Sequence, residues 1–595
     1  MCGINGVINF SQEDQEYYST QIKKINRQLN YRGPDNLGFW KDKYNYCSMG
    51  HTRLSILDLN NRSNQPMIDN SGNFVICFNG EIYNFLELKH DLENKDIKFK
   101  TTSDTEVFLE GFKFYGKDIL DKIDGMFAVA IYNIKEKKLF LARDRAGEKP
   151  LYYISTNKFF AFCSELKPLL NYNKKINFSI SDNSFFEFLS LRYVPYENTL
   201  INQIKKLEPG CFINISKSNI KLTRYFAYNI RPHEYEKIDE YNYFLNYLFE
   251  ALKKSVKKRL VADVKVGTFL SGGIDSSLTS AIATKEFNLN LETFSIGFEN
   301  YKNSEHNNAK EIAKIIGSNH NEIILDEKIT NDTFDKIGLL MDEPNADRSL
   351  IPAYIVSKFA KEKVTVALSG DGADELFGGY PRHWQLRNFI QKQQLPKNPS
   401  NLLESYITHL LPVFNFPALR KFFLQFSENF IEKFSRHFIN EQRSVSASLR
   451  NLDFETYLTC VLSKVDIMSM KNSLEVRTPF LDKDLINYSQ FIPDNLIWNG
   501  KYPKLALRKL CSKYLPAEIY TLPKLGFGLP IKLYSSITNN LDIINESNEI
   551  YKKSNFFSAD NQFYSFLKSN YQKNSNSFWL YIVLAQWLKS IQLNL

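Results

Sequence analysis

Long apolar runs are missing from this sequence of 595 residues. The longest candidate, Phe578–Leu588, falls short of the roughly 18 apolar residues that a membrane-spanning helix needs, and Gln586 interrupts it. The amino terminus also lacks the basic region and apolar core that a secretory signal would show. We therefore expect a protein without a membrane segment and without a signal peptide.

Cysteine is scarce: there are seven, an odd number, with no Cys-x-x-Cys pair and no His/Cys spacing typical of zinc. This excludes a disulfide framework and favours a reducing cytoplasm. Charge of one sign is also limited, because 75 basic and 66 acidic residues leave a net charge of only +9. That excess allows an anionic ligand such as ATP but does not argue for a nucleic-acid partner.

The pattern of predicted strands and helices changes near the middle of the chain. The first part reads as short strands joined by turns, typical of antiparallel hairpins, with helices at Tyr17–Asn30 and Thr105–Tyr115. Periodicity alone leaves a β-sandwich without activity open. The predicted strands are Phe74–Phe78, Phe127–Tyr132, Lys138–Ala142 and Leu151–Ser155.

The second part alternates short buried strands with helices, which indicates a doubly wound parallel sheet with added helices. We place the boundary between Phe212 and Tyr241 and expect residues 385–460 and most of the carboxyl-terminal end to be helical. Ligands of such sheets bind outside the carboxyl ends of the strands. The predicted strands are Val264–Leu270, Glu292–Phe298, Asn321–Leu325 and Lys363–Leu368, and the predicted helices between them are Ser276–Phe287, Asn308–Ile316 and Ile351–Ala360.

Cys2 is the first candidate catalytic residue in the sequence. Removal of the initiator methionine would give it a free α-amine, with a pKa of about 7.7–8.0, beside a thiol with a pKa of about 8.5. One residue would then supply both a nucleophile and a base near neutral pH. Gly3 would leave room for a substrate to approach the backbone. A Met-Cys start alone does not establish this role.

Four further motifs follow Cys2 in order, and together with it they resemble the class II glutamine amidotransferase domain over residues 2–215. The resemblance implies an αββα sandwich of the Ntn-hydrolase type, in which the terminal Cys2 hydrolyses glutamine. The motifs are Arg32–Asp35, His51–Ile56, Asn79–Asn84 and Ser103–Glu106.

The resemblance assigns roles that the residue chemistry supports. Arg53 would bind the α-carboxylate of glutamine with its planar guanidinium, while Glu81 and Asp104 would face the amide and ammonium groups. The side-chain amide of Asn79 and the N–H of Gly80 would form the oxyanion hole. The alternatives are a surface ion pair for Arg53, a solvated turn for Glu81, a helix-terminal acid for Asp104 and a hairpin turn at Asn79–Gly80.

A glycine- and serine-rich loop lies between a predicted strand and a predicted helix at Phe269–Ser277. Hydroxyls, glycine N–H groups and a helix N-terminus meet there, which suits a phosphate. The spacing of a Walker loop is missing, and the loop instead resembles the PP-loop of ATP pyrophosphatases. A similar loop, Leu368–Tyr380, follows a later strand, so Asp275 and Asp374 are candidate Mg²⁺ ligands.

Three more motifs accompany the two glycine-rich loops. Together, these motifs and loops make residues 240–595 similar to the synthetase domain of glutamine-hydrolysing asparagine synthetases. The family implies ATP and Mg²⁺ as cofactors, glutamine and aspartate or another carboxylate as substrates, and leaves a homodimer open. It also implies catalytic roles for Lys504, against the ATP phosphates, and for Asp371. The motifs are Asp342–Pro344, Ser473–Asp482 and Lys504–Arg508, and the implied nucleotide contacts are Leu270, Ser271, Gly272, Gly273, Asp275, Ser276, Ile296, Ser369 and Gly370.

Two positions depart from the family pattern. Asp371 stands where well-known bacterial relatives carry the longer Glu, and Arg348 replaces the first Ser of an Asp-Ser-Ser motif. A new cation beside the acceptor would suit a different acid, although an outward-pointing Arg348 would have no such meaning.

The predicted function is glutamine-dependent synthesis of asparagine, with ammonia passing inside the protein to an acyl-adenylate of aspartate. Amidation of another carboxylate, such as a sugar uronic acid, stays open. An RNA-modifying ATP pyrophosphatase and a ligand sensor without turnover are the remaining alternatives. The diffuse charge disfavours the first of these two, and the complete set of chemical residues disfavours the second.

Overall fold

The structure is a computed structural model, and it places two different kinds of sheet in the two parts of the chain. None of its described helices is both long and apolar enough to cross a bilayer. The residues described are 1–11, 15–44, 46–173, 176–231, 238–299, 306–383, 385, 428–438, 444–522, 527–530, 537, 541–553 and 575–592.

The amino-terminal half is built from two six-stranded sheets in the orders β10-β8-β9-β1-β3-β2 and β12-β11-β7-β6-β5-β4. Strand pairing is antiparallel throughout both sheets, as in β1 against β3, where Gly3 is opposite Thr52. The strands are β1 Gly3–Asn9, β2 Asn36–Lys41, β3 Cys47–Arg53, β4 Met67–Ile68, β5 Phe74–Ile82, β6 Gly125–Asn133, β7 Lys138–Arg143, β8 Tyr152–Ser155, β9 Phe159–Cys163, β10 Lys205–Lys206, β11 Cys211–Ile215 and β12 Ile220–Arg224.

The two sheets face each other, and helices cover their outer sides, so the predicted αββα layering is confirmed. The helix Gln15–Gln28 packs on β1 and β3, and the helix Asp104–Tyr115 packs on β5. Ser103 caps the second of these helices through the Thr105 N–H, and Gly116, with φ +60°, ends it. The other helices of this half are Phe85–Glu93, Ile119–Lys122, Leu166–Leu170 and Asp182–Leu191.

The carboxyl-terminal half has a five-stranded parallel sheet in the order β15-β14-β13-β16-β17, as the alternating pattern predicted. The chain order reverses between β13 and β16, and open sheets bind ligands at such a switch point. The loops that follow these two strands are the glycine-rich motifs. The strands are β13 Val266–Phe269, β14 Glu292–Phe298, β15 Asn319–Leu325, β16 Val366–Leu368 and β17 Glu475–Arg477.

Helices account for most of the remaining described residues of this half. Part of the predicted helical region, at 386–427 and 439–443, lies outside the described residues. The helices are Ile238–Arg259, Ile274–Ala281 (continued by a π-helical turn, Ile282–Glu286), His306–Ile316, Glu327–Phe334, Ile337–Leu340, Leu350–Lys361, Ala373–Phe377, Glu428–Ser435, Val445–Glu455, Tyr457–Met470, Lys483–Ser489, Asp494–Ile497, Leu505–Cys511, Ala517–Tyr520, Leu541–Lys553 and Ser575–Gln592.

The halves share one large apolar cluster. It runs from Leu29 and Phe185 in the first half to Leu350 and Trp587 in the second. Burial of apolar surface contributes about 25 cal/mol per Å², so a continuous cluster of this kind fixes the two halves against each other.

Candidate active sites

Cys2 immediately precedes strand β1 and is buried, with 7 % of its surface exposed. Its backbone N–H donates to Asn79 Oδ1 at 2.9 Å, and the next N–H, of Gly3, donates to Thr52 Oγ1 at 2.9 Å. A side chain at position 3 would meet Thr52 Oγ1 at 2.6 Å, so only glycine fits there. These contacts bring Cys2 to the predicted Asn79.

The Asn79–Gly80 pair lies inside strand β5 rather than in a hairpin turn. Asn79 Nδ2 is buried and has no hydrogen-bond partner among the described residues. A Cβ on Gly80 would collide with the carbonyl oxygen of Met126. A buried donor left without a protein partner beside a nucleophile is what an oxyanion hole requires.

Arg53 ends strand β3 near the Cys2 thiol, and its guanidinium is held by the loop that follows. Nη1 donates to the Asn60 carbonyl and to Asn64 Oδ1, both at 2.9 Å, and Nη2 donates to the Leu57 carbonyl at 3.3 Å. Arg53 is 5 % exposed, which excludes the alternative of a surface ion pair.

Glu81 and Asp104 are also buried, 6 % and 5 % exposed, so Glu81 is not in a solvated turn, whereas Asp104 does lie at a helix N-terminus, as its alternative described. Asp104 begins its helix and accepts the Ile82 N–H at 2.9 Å. Burial raises the pKa of Asp104 to about 6 and that of Glu81 well above its ordinary value. Both pKa values are raised because each carboxylate is removed from solvent. A bound ammonium group would favour the charged form of these carboxylates.

Strand β17 of the second half closes this site. Glu475 is 2.9 Å from the Met1 amine and 2.7 Å from Arg477 Nε, and Arg477 Nη2 is 3.4 Å from Glu81. Met1 itself is buried, in an apolar cluster drawn from both halves. The neighbours in that cluster are Leu54, Ile56, Tyr83, Met126, Val366 and Met470.

The second site is formed by the loop between β13 and the helix Ile274–Ala281. Ser271 Oγ lies 3.0 Å from Ser276 Oγ and accepts the Gly273 N–H at 3.3 Å, while Gly272 takes a φ of +86°. These bonds fold the loop back on the start of the helix. Hydroxyls and N–H groups therefore surround a helix N-terminus, which is an arrangement that binds anions.

The loop after β16 lies directly against this one. A Cβ on Gly370 would be 2.8 Å from Asp275 Cβ and 2.9 Å from the Ser276 nitrogen. Lys504, with φ +54°, places its Nζ 2.5 Å from both Asp275 Oδ2 and Asp374 Oδ1. Burial disfavours the charged form of Lys504, but the two carboxylates outweigh this effect and raise its pKa.

The Asp275–Asp374 pair fits a hard cation, since both carboxylates already converge on one positive charge. The described residues hold no cluster of three or more potential metal ligands. A cation held by these two residues would therefore need further ligands from water or from a bound anion.

The loop residues and charged groups of the second site line a cleft of about 1030 Å³. Leu270 differs from the other predicted nucleotide contacts, because its side chain is fully buried in an apolar cluster with Ala281 and Ile312 rather than facing the cleft. The predicted residues that do line the cleft are Ser271, Gly272, Gly273, Asp275, Ser276, Ile296, Ser369, Gly370, Asp371, Asp374 and Lys504.

One wall of the cleft contains further charged residues, of which the sequence analysis singled out only Arg348, and Arg348 does line the cleft. Lys464 Nζ is 3.1 Å from Asp347 Oδ2, and Arg348 lines the wall beside them. Arg192 reaches the same wall from the first half of the chain, and its carbonyl accepts the Ala346 N–H at 3.0 Å. Neither Lys464 nor Arg192 lies within one of the predicted motifs, so the sequence carried no signal for either.

Comparisons with known proteins identify the family of both halves of the chain. Residues 1–226 match the family model of a glutamine amidotransferase domain, and residues 248–588 match that of asparagine synthase. Asparagine synthetase [glutamine-hydrolyzing] 1 of Bacillus subtilis (strain 168) is 35% identical over 570 residues, covering 89% of this chain and 87% of that protein. Asparagine synthetase [glutamine-hydrolyzing] 3 of the same organism is 29% identical over 548 residues, covering 87% and 85%. The chain therefore belongs to the family of glutamine-hydrolysing asparagine synthetases.

Proposed function

We propose that the chain is a glutamine-dependent asparagine synthetase that amidates the β-carboxylate of aspartate after activation by ATP. The observation that carries the proposal is the presence of two built sites in one chain. One holds buried Cys2 beside Asn79, and the other holds Lys504 between Asp275 and Asp374. The seven unpaired thiols support a reducing cytoplasm as its place of action.

In the first site, the Cys2 thiol attacks the side-chain amide of glutamine. Burial raises the pKa of this thiol, so the attack needs a base, and the α-amine that removal of Met1 would expose belongs to the same residue. Asn79 Nδ2 then donates to the oxygen that becomes negatively charged. Collapse of this intermediate releases ammonia, and water hydrolyses the remaining thioester to glutamate.

In the second site, the acceptor carboxylate attacks the α-phosphorus of ATP and pyrophosphate leaves. The Ser271–Ser276 loop binds the phosphates through hydroxyl and N–H groups, and the ammonium of Lys504 offsets their charge. Asp275 and Asp374 would hold Mg²⁺, which supplies further charge neutralisation when bound. Ammonia finally attacks the acyl carbon, and AMP leaves with formation of the amide.

Ammonia has to travel between the sites without becoming ammonium in bulk water. Apolar side chains from both halves, among them Leu54, Met126, Val366 and Met470, lie together next to Met1 and Cys2. We propose that the conduit starts in this apolar region of the interface.

The cations that line one wall of the cleft also favour a second class of acceptor. Arg192, Arg348 and Lys464 would also suit an acid with additional anionic or hydroxyl groups, such as a sugar uronic acid. Aspartate needs one cation for its α-carboxylate and one acid for its ammonium, and Lys464 with Asp347 provides such a pair.

The experiment is an acceptor screen with the full chain, glutamine, ATP and Mg²⁺. With aspartate, we expect asparagine, glutamate, AMP and pyrophosphate to appear in equal amounts. AMP formation with a uronic acid and not with aspartate would show that the acceptor is a uronic acid, while the proposed adenylation and amidation steps would stand. Release of ADP instead of AMP would overturn the proposal.

A further inference from the structure

A buried cluster of charged groups lies behind Cys2, where the two halves meet. Its centre is the guanidinium of Arg32, which has no exposed surface. Arg32 Nε donates to the Cys2 carbonyl oxygen at 3.0 Å, and Nη1 donates to Glu165 Oε1 at 3.0 Å. The third contact is made by Nη2, which donates to Asp466 Oδ2 at 2.8 Å. Arg32 therefore ties the backbone of the nucleophile to two acids.

Asp466 does not belong to the amidotransferase half. It lies near the end of the helix Tyr457–Met470 of the synthetase half, 434 positions along the chain from Arg32, and only 1 % of its surface is exposed. Lys149 Nζ is 3.5 Å from its other oxygen. Because both Asp466 and Arg32 are removed from water, each depends on the other for compensation of its charge.

We propose that Asp466 is a positioning residue for glutamine hydrolysis, holding Cys2 in place through Arg32. The inference rests on the proposed glutaminase role of Cys2. With Met1 removed, Cys2 would be held by its peptide bond to Gly3 and by the hydrogen bonds of its own N and C=O groups. Asn79 holds the amine side and Arg32 holds the carbonyl side. The planar fork of Arg32 is oriented in turn by Glu165 from one half and Asp466 from the other.

The placement of Asp466 also connects this anchor to the synthetase site. Tyr457, Val461 and Lys464, on the same helix, line the ATP cleft. The helix packs against β17 and against the helix Leu350–Lys361, so it is a rigid part of the synthetase half. The nucleophile is thus fully anchored only when the synthetase half is docked on the amidotransferase half.

The test uses Asp466→Ala in the full chain. We expect glutamine hydrolysis to lose about 10- to 100-fold in kcat, the scale produced when a reacting group is displaced by an ångström. Synthesis from added ammonium salt should be retained, because Asp466 does not line the ATP cleft. Glutamine binding, measured by calorimetry in a Cys2→Ala background, should also be retained. Asp466→Asn, which keeps an acceptor oxygen for Arg32, should restore much of the hydrolysis.

Two comparisons separate positioning from general damage. Lys258→Gln breaks another ion pair between the halves, the 2.6 Å contact with Asp124, without touching Cys2, and should leave hydrolysis unchanged. If Asp466 acts through Arg32, the double variant Arg32→Gln/Asp466→Ala should be no slower than Arg32→Gln alone. Normal hydrolysis by Asp466→Ala, or additive losses in the double variant, would overturn the positioning role only. Absence of glutamine hydrolysis in the unaltered enzyme would overturn the proposed function as well.

Discussion

Burial determines which acid of the glutaminase site responds to pH. Asp104 has a pKa raised to about 6 by its buried position, and in the proposed site only its ionised form would attract the α-ammonium group of glutamine. Lowering the pH through 6 protonates it, so glutamine binding should weaken by about tenfold per pH unit below the pKa. Calorimetry with Cys2→Ala, which binds glutamine without consuming it, should show a dissociation constant that rises with acidity.

The matched variant adds Asp104→Asn to the same background. It should bind glutamine weakly and lose the part of the pH dependence that belongs to Asp104, because the carboxylate proposed to contact the ammonium group is gone. A dissociation constant that stays flat through pH 6 while Asp104 is present would show that this acid does not contact the ammonium group.

Asn79 offers a second prediction for a single residue. Replacing it with Ala removes the buried Nδ2 donor, and loss of one oxyanion donor typically lowers kcat by about 10²–10³-fold. The KM for glutamine should change much less, since the donor acts on charge that develops during the reaction. Steady-state glutaminase assays measure both constants. An Asn79→Ala enzyme with an altered KM and a normal kcat would assign Asn79 to substrate binding instead.

Two loops of the parallel sheet have to touch for the ATP site to exist. Gly370 allows this contact, and Gly370→Ala would push a methyl group against Asp275 Cβ and the Ser276 nitrogen. We expect a KM for ATP that is higher by about tenfold or more and slower pyrophosphate release, because the phosphate loop is displaced. Glutamine hydrolysis without ATP should be unaffected.

Gly111→Ala is the matched control for that substitution. Its added methyl would also meet an atom at 2.8 Å, but that atom is the terminal Cδ1 of Ile119, which can move. The KM for ATP should therefore stay unchanged. An equal rise in both variants would indicate a general effect on the fold rather than on the two loops.

The elements that the sequence predicts are those with a strong apolar pattern. Glu292–Phe298 is a strand over the predicted residues, and Phe74–Phe78 is the first part of the longer β5. β17 was not predicted, because two of its three residues, Glu475 and Arg477, are charged, and part of what pairs with them, Met1 and Glu81, lies across the interface. The π-helical turn at Ile282–Glu286 likewise has no distinct pattern in the sequence.

At the scale of the whole molecule, contacts between residues that are far apart in the sequence are the hardest to predict from it. The motifs correctly grouped Cys2 with Asn79 and Asp275 with Asp374, because each motif carries its chemistry locally. The contact between Arg32 and Asp466 has no such local signal, since Asp466 lies outside every predicted motif and meets Arg32 only where the two halves dock. A homodimer remains a prediction.

The two halves should function as separable catalysts joined by an enclosed route. Cys2→Ala should lose synthesis from glutamine and keep synthesis from ammonium salt, while Asp275→Asn should keep glutamine hydrolysis and lose pyrophosphate release. When the two variants are mixed, ammonia made by one chain enters bulk water, where most of it is protonated, before reaching the other. The mixture should therefore make the amide only at the slow rate supported by the free ammonium it accumulates. A mixture that matches the unaltered enzyme from the first turnovers would contradict an enclosed route, and loss of both activities in Cys2→Ala would contradict the division into two sites.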